Sequence, residues 1–326
     1  MEHTIGIVGC GLIGQKRAKA LGRAKLVACA DIQRERAEQL ARGHAATATA
    51  DWRDVTGNPE VSLVIVATTN QLLAEVTASA LEAGKHVLVE KPAATSAADL
   101  ERLIALERST GKLVRVGFNH RYHPALLHAK ALASSGALGE MMFVRGRYGH
   151  GGRIGYDREW RADPALSGGG ELIDQGVHLI DLSRVFLGEI AATRGYAKTY
   201  FWDMPVDDNA FMLLTATGGQ TAFLHVSCTE WKNLFSLEIY GKDAKLQIEG
   251  LGGSYGVERL YYYKMLPEMG PPETTIWEYP RGDQSWALEL AEFLEDIELG
   301  RPPSASLADA LAAMRVVEDV YRGSPA

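Results

Sequence analysis

Thr4-Ile5-Gly6-Ile7-Val8-Gly9-Cys10-Gly11-Leu12-Ile13-Gly14, a short apolar run ending in a glycine-rich turn, decides the fold. A run that is apolar at successive positions suits a strand buried on both faces. Gly9 permits the tight turn, Gly11 lets the backbone approach a pyrophosphate, and Gly14 lets the following helix pack on the strand. That helix's N-terminus offers N–H groups and a positive dipole to phosphate. Asp31 closes the next apolar run 20 residues after Gly11 (31 − 11). A carboxylate there accepts hydrogen bonds from both ribose hydroxyls and repels a 2′-phosphate. The pattern predicts a dinucleotide-binding unit and NAD as its cofactor. NADP stays second, because the nearby Arg34 is able to accommodate a 2′-phosphate.

Outward from this turn, the alternation of short apolar runs with helical stretches continues to Gly117, the signature of βαβ units and a parallel sheet. Strands are expected at Thr4 to Val8, Lys25 to Ala30, Leu63 to Ala67, His86 to Val89 and Leu113 to Val116. Helices are expected at Gly14 to Leu21, Arg34 to Arg42, Leu72 to Ala83 and Ala97 to Glu107, with Ser96 and Asp99 as a capping box and Gly84 and Gly111 at helix ends. Beyond Asn119 the texture changes to aromatic and β-branched residues alternating with polar ones, the period of antiparallel strands with one solvated face. Those strands are Met141 to Tyr148, Ala191 to Trp202, Phe211 to Ala216, Thr221 to Thr229 and Phe235 to Tyr240, joined as a meander of hairpins. Helices follow at about Leu172 to Phe186, Gln284 to Leu299 and Leu307 to Tyr321. The fold class is α/β: a Rossmann dinucleotide-binding domain over 1–119, then an α+β domain over 120–326 built on a large, mostly antiparallel open sheet. The last helix, from about Leu307, is expected to return to the first domain.

The length of 326 residues agrees with two domains. Hydrophobic residues at 46% and charged residues at 23% exclude a disordered or fibrous chain. A net charge of −7 has the wrong sign for a nucleic-acid partner. No apolar run approaches the roughly 20 residues that span a bilayer, and Met1-Glu2-His3-Thr4 lacks a basic leader, so a cytosolic location is expected. Cys10, Cys29 and Cys228 are odd in number and widely spaced, as buried free thiols rather than a disulfide framework or metal knuckle.

Three segments carry chemistry besides the first turn. Ala67-Thr68-Thr69-Asn70 and Glu90-Lys91-Pro92 lie at strand ends, where open α/β sheets bind their ligands, and Lys91 is set to present an ammonium there. Gly168-Gly169-Gly170-Glu171-Leu172-Ile173-Asp174-Gln175-Gly176-Val177-His178-Leu179-Ile180-Asp181 places Asp174 and His178 four apart, on one helix face, with Asp181 a further turn along. An imidazole paired with a carboxylate is a sound general base near neutral pH. His120, His123, His178 and Asp174 are chemically able to hold zinc, but their spacing gives no closed four-ligand set, so no metal is expected.

These motifs, with Gly117-Phe118-Asn119 and Trp160-Arg161, resemble in order and spacing the glucose–fructose oxidoreductase, inositol dehydrogenase and MocA family, from Thr4 to about Tyr321. The resemblance implies that Lys91, Asp174 and His178 are the catalytic Lys, Asp and His. His178 would take the proton of a secondary hydroxyl while hydride leaves for the nicotinamide, Lys91 would polarise the forming carbonyl, and Asp174 would orient His178. Members differ in whether the Lys or the His moves the proton, and both stay open. It also implies cofactor contacts from Gly9, Gly11, Leu12, Ile13, Gly14, Asp31, Ile32, Thr68, Thr69, Asn70, Glu90, Lys91, Asn119, Trp160 and Arg161.

Substrate contacts are expected from Lys91, Arg121, Tyr148, Arg153, Tyr156, Asp174, His178 and Trp231, alongside His120, His123 and Lys232. Arginines among aromatics suit an anionic sugar, such as one bearing a nucleotide diphosphate. The expected activity is oxidation of a sugar hydroxyl, foremost of a nucleotide sugar. The alternatives are an inositol or free-sugar dehydrogenase, an NAD-retaining glycosidase or epimerase, and a non-catalytic nucleotide sensor. The resemblance implies a homodimer or homotetramer, since the open face of the second sheet needs a cover.

Overall fold

The computed structural model describes residues 3–268 and 270–324. The chain divides into two compact units, Met1–Phe118 with Trp286–Leu311, and Asn119–Ser285 with Ala312–Ala326.

In the first unit the elements run β1 (Thr4–Val8), α1 (Leu12–Lys19), β2 (Lys25–Ala30), α2 (Arg34–Arg42), β3 (Thr47–Thr49), α3 (Trp52–Thr56), β4 (Leu63–Val66), α4 (Asn70–Glu82), β5 (His86–Glu90), α5 (Ala97–Thr110) and β6 (Val114–Gly117). All strands pair in parallel, in the order β3-β2-β1-β4-β5-β6. The order reverses between β1 and β4, which makes the C-terminal ends of these two strands the switch point where such sheets hold dinucleotides. β4, Leu-Val-Ile-Val, is buried at every position, as a strand covered on both faces must be. Ser96 caps α5 as expected: its Oγ accepts from the Asp99 N–H and donates to Asp99 Oδ2. β3 and α3 went unread, because three residues of Thr-Ala-Thr and five of helix are too short for a periodic signal.

The second unit contains α6 (Pro124–Ser134), β7 (Met141–Gly149), α7 (Pro164–Ser167), a π-helical turn (Leu172–Gly176) running into α8 (Val177–Leu187), then β8 (Ile190–Lys198), β9 (Asn209–Ala216), β10 (Thr221–Ser227), β11 (Leu234–Gly241), β12 (Ala244–Glu249), β13 (Glu258–Lys264) and β14 (Glu273–Tyr279). Its sheet has eight strands in the order β14-β13-β12-β11-β7-β10-β9-β8. Every neighbouring pair is antiparallel except β7 and β10. The expected simple meander is therefore corrected: β7, first in sequence, inserts between β10 and β11. One face carries fully buried Val144, Leu224, Leu214 and Ile239 and takes α8; the other exposes Phe143, Leu213 and Phe223.

Two helices close the chain, α9 (Ser285–Leu299) and α10 (Leu307–Gly323). The first unit ends at Phe118 and takes up Trp286–Leu311, and the second begins at Asn119. α10 is shared: its residues up to Leu311 belong to the first unit and those from Ala312 to the second. Leu290, Phe293 and Leu294 of α9 enter the same core as Ile5, Ile7, Leu26 and Ile65. Two fully buried arginines grip this helix. Arg17 of α1 binds Glu289 at 2.5 Å, and Arg115 of β6 binds Asp296 at 2.5 Å and Glu292 at 3.0 Å.

Candidate active site

The candidate residues fall in both units and are described unit by unit. In the first unit, β1 ends in a turn whose φ at Gly9 is +92°, and a Cβ there would lie 2.3 Å from the Ala67 carbonyl oxygen at the end of β4. A Cβ on Gly14 would lie 1.9 Å from the Gly9 carbonyl oxygen. Both positions are closed by the protein's own backbone. Gly11 differs, since a Cβ there meets nothing within 4 Å. Gly11 is also the N-cap of α1, whose first turn has no side-chain cap and no acidic residue. The N–H groups of α1 thus point to space that a pyrophosphate would fill.

Asp31 is held beside this turn: its Oδ2 accepts from the Cys10 N–H and its Oδ1 from the Gln33 N–H, each at 2.8 Å. Leu12 and Ile32, 71% and 84% exposed, leave apolar surface open on either side. Turn, carboxylate and apolar flanks fit a dinucleotide. Thr69 precedes α4 as its N-cap, Thr68 Oγ1 donates to the Thr69 carbonyl, and Asn70 is buried.

Glu90, expected on the cofactor, is buried and committed to the protein: Arg17 Nε donates to its Oε1 at 2.7 Å. With Glu289 on the other side, Arg17 holds the end of β5 and hence the start of the Lys91 loop, whose Lys91–Pro92 peptide is cis. Trp286 covers the guanidinium, with 4.5 Å from Arg17 Cζ to the ring centroid. Sequence reading missed Arg17, although it shares the buried face of α1 with Gly14 and Ala18 at helical spacing.

In the second unit, Asp174 lies in the π-helical turn and His178 in the first turn of α8, both buried. Arg161 Nε donates to Asp174 Oδ2 at 3.0 Å, while the Trp160 ring lies 4.6 Å from the guanidinium. This places Arg161 on the Asp174 carboxylate of its own unit. His178 stacks on His120, with ring centroids 3.7 Å apart and planes 18° apart. His120 Nδ1 lies 3.2 Å from Asn119 Oδ1, and Asn119 Nδ2 donates to Ser285 Oγ. Asn119 therefore orients the histidine stack from within the second unit.

The glycines that lead into this segment are filled by the chain itself. A Cβ on Gly170 would lie 1.9 Å from the Asp207 carbonyl oxygen, and one on Gly169, at φ +156°, would lie 2.2 Å from the Tyr321 hydroxyl. Asp207 ties the segment down: Oδ1 accepts from the Gly170 N–H and the Tyr321 hydroxyl, and Oδ2 accepts from the Leu172 N–H at 2.8 Å. Burial raises the Asp207 carboxyl to about 6, against these hydrogen bonds, which pull it down. No motif pointed to Asp207, 33 residues from Asp174 (207 − 174).

Several of the expected substrate contacts are engaged with partners inside the protein, and two are exposed. Arg121 forks onto Asp181 and Asp181 is buried, so neither is open to a phosphate. Tyr148 is buried against His120, Phe235 and Tyr255. The Tyr156 hydroxyl donates to Glu171 at 2.7 Å inside the core. His123 binds Glu258 at 3.0 Å. Arg153 is exposed and pairs with Glu159 at 2.7 Å. Trp231 is 70% exposed. Burial works against a charge on His150, but the adjacent Glu171 and the charge of Asp174 outweigh it and raise its basicity.

A dinucleotide turn and a buried carboxylate–histidine segment on a sheet domain define a nicotinamide-dependent oxidoreductase. A model described as "Oxidoreductase family, NAD-binding Rossmann fold" matches residues 3–118, and one described as "GFO/IDH/MocA C-terminal domain" matches residues 126–247. The chain belongs to the GFO/IDH/MocA family, and NAD is the cofactor of its first domain. It is 30% identical over 241 residues to levoglucosan dehydrogenase of Pseudarthrobacter phenanthrenivorans, a match that spans 67% of this chain and 60% of that protein. It is 28% identical over 334 residues to scyllo-inositol 2-dehydrogenase (NAD(+)) of Bacillus subtilis, spanning 97% of this chain and 93% of that protein. A solved structure of levoglucosan dehydrogenase in complex with NADH and levoglucosan shares the fold, with a TM-score of 0.89 at 22% identity over 99% of this chain and 97% of that one.

Proposed function

We propose that the protein oxidises a secondary hydroxyl of an uncharged cyclic polyol, an inositol or a free sugar, with NAD. The observation that carries this reading is the pairing state of the arginines. Arg121 is forked onto Asp181 and Arg153 is paired with Glu159, so the two arginines expected to hold a nucleotide diphosphate are already neutralised. The named relatives, levoglucosan and scyllo-inositol dehydrogenases, act on uncharged polyols. The nucleotide sugar favoured from sequence falls behind.

In the proposed reaction His178 takes the hydroxyl proton, the C–H bond breaks and the carbon–oxygen bond becomes a carbonyl. Bound NAD supplies the hydride acceptor. The Lys91 ammonium steadies the oxygen as it changes, and Asp174, held by Arg161, fixes the charge beside His178. Buried aromatic and imidazole neighbours keep water from the histidine.

The remaining assignments are part of the same proposal. The exposed apolar residues Phe143, Leu213 and Phe223 suit an oligomer formed through the sheet face. Three buried free thiols suit the cytoplasm, and among the described residues no helix is long and apolar enough to cross a membrane.

The test is NADH formation by purified protein with NAD across inositols, free hexoses, anhydrosugars and nucleotide sugars. Turnover on uncharged polyols supports the proposal, and turnover restricted to nucleotide sugars overturns it.

A further inference from the structure

Within the second unit a recess of about 570 Å³ opens among Phe201, Trp202, Trp231, Arg153, Asp157 and Arg158. Its size falls in the roughly 300–1,000 Å³ range of small-molecule pockets. Phe201 meets Trp231 edge to face, with centroids 4.8 Å and planes 86° apart, and meets Trp202 in the same way at 5.1 Å and 87°. Perpendicular rings present faces as well as edges. Phe201 is 55% exposed and Trp231 is 70% exposed, an arrangement that leaves large apolar area in water. Trp231 also holds φ +59°, a left-handed conformation that side chains disfavour, and a Cβ on Gly151 would lie 3.0 Å from the Trp231 backbone. Trp202 is fixed by its indole N–H, which donates to the Cys228 carbonyl at 3.0 Å.

The recess is joined to the reactive segment by two lines of contact inside the same unit. One runs from Arg153 to Glu159 (2.7 Å), Glu159 to Arg161 (3.9 Å) and Arg161 to Asp174 (3.0 Å). The other runs from Trp202 to the Tyr156 ring (5.6 Å) and from the Tyr156 hydroxyl to Glu171 (2.7 Å). In the recess Arg153 is matched by Glu159, and the lining adds one further cation, Arg158, and one carboxylate, Asp157. A diphosphate would need unmatched cations. A ring that is apolar on its faces and hydroxylated at its edge needs aromatic planes with a few polar groups around them.

We propose that this recess is a subsite for a second, uncharged sugar ring, glycosidically joined to the ring that reacts at His178, so that the preferred substrates are glycosides. The placement of the reacting ring rests on the sugar-dehydrogenase reading above; the recess does not. The test uses the full chain with NAD and two measurements. In the first, tryptophan emission is titrated with a disaccharide, the matching free hexose and uridine diphosphate. In the second, kcat/KM for disaccharide and hexose is compared between the protein and a Phe201→Ala variant, which removes an exposed ring.

The disaccharide should shift the emission more strongly than the hexose. The variant should lose about tenfold in kcat/KM for the disaccharide, the scale of one aromatic contact, and stay within about twofold for the hexose. An equal loss on both sugars, no emission response to the disaccharide, or a stronger response to uridine diphosphate would overturn the proposal. If no sugar is oxidised, the dehydrogenase reading fails, while the emission titration still decides the recess.

Discussion

The protein has two glycine-rich turns that lead into helices, and they use glycine for different reasons. At Gly169 and Gly170 the space for a side chain is taken by the Tyr321 hydroxyl and the Asp207 backbone. At Gly11 it is taken by nothing within 4 Å among the described residues, although Gly9 and Gly14 on either side are closed by carbonyl oxygens. The first pattern makes a tightly tied platform for reactive side chains. The second makes a cradle with one side left open for a ligand. Glycine content alone does not separate a catalytic turn from a cofactor turn; what fills the place of the missing Cβ does.

The comparison breaks first at the side chains the two turns serve. His178→Ala should lower kcat by a factor of about 10²–10⁴, the range for a lost general base, and leave NAD affinity unchanged, because the proposed NAD cradle is the other turn. Steady-state rates together with an NAD titration by fluorescence check this. Near-normal turnover would remove His178 as the base.

Next in size is the support under the Lys91 loop. Arg17→Met leaves Glu90 and Glu289 facing each other without their cation in a fully buried place. Breaking such a pair from one side costs about 3–5 kcal/mol. Calorimetry should show this as a large drop in Tm, and a Tm within a few degrees of the parent protein would show that the two carboxylates find other partners.

Arg17 also marks the limit of what was legible. The first two strands and the fingerprint turn between them are local patterns, written in ten to thirty residues, and the structure has them where the pattern puts them. Arg17 with Glu289, Arg115 with Asp296, and Asp207 under Gly170 join residues 272, 181 and 37 apart. Nothing in a local period announces such a partner. The same distance explains why the partners of Arg121 and Glu90 were not legible: each looks like a polar side chain awaiting a ligand, and each is engaged by a carboxylate or arginine 60 or 73 residues away. β12, β13 and β14 were missed for a different reason, because no expected strand followed Tyr240.

A third effect tests the tie beneath the reactive turn. The folded protein holds the Asp207 proton up to about pH 6, whereas an ordinary Asp releases it near 3.8. Between these values the unfolded chain binds fewer protons, so this group's stabilisation is present below that window and is lost as pH rises through it. The full span corresponds to about 3 kcal/mol. His86, lowered by burial to about 4, acts with the opposite sign between that value and its ordinary 6.5. The difference in Tm between the parent protein and Asp207→Asn, followed from pH 4 to pH 7, isolates the Asp207 part. It should shrink with rising pH, and a difference that grows would reverse the assignment.

A smaller effect is expected from crowding the same turn. Gly170→Ala puts a methyl 1.9 Å from the Asp207 carbonyl oxygen, so the segment must shift to admit it. Overpacking of this kind costs about 1–3 kcal/mol. The lowered Tm should come with reduced turnover, because the displaced segment carries Asp174 and His178. Unchanged Tm would mean that the turn yields freely and is not a platform.

The smallest change in stability makes the sharpest contrast. Gly11→Ala adds a methyl with no heavy atom within 4 Å, and Gly11 has φ −68°, which any residue adopts. The folded protein should tolerate it, with stability changed by no more than about 0.5 kcal/mol, as for a substitution in open space. A pyrophosphate seated on the N-terminus of α1 would meet that methyl, so NAD affinity should fall by about tenfold or more, equivalent to about 1.4 kcal/mol. Thermal melting without NAD and an NAD titration on the same variant separate the two effects. Loss of stability without loss of affinity would make Gly11 a structural glycine like Gly170, and the two turns would then no longer differ in kind.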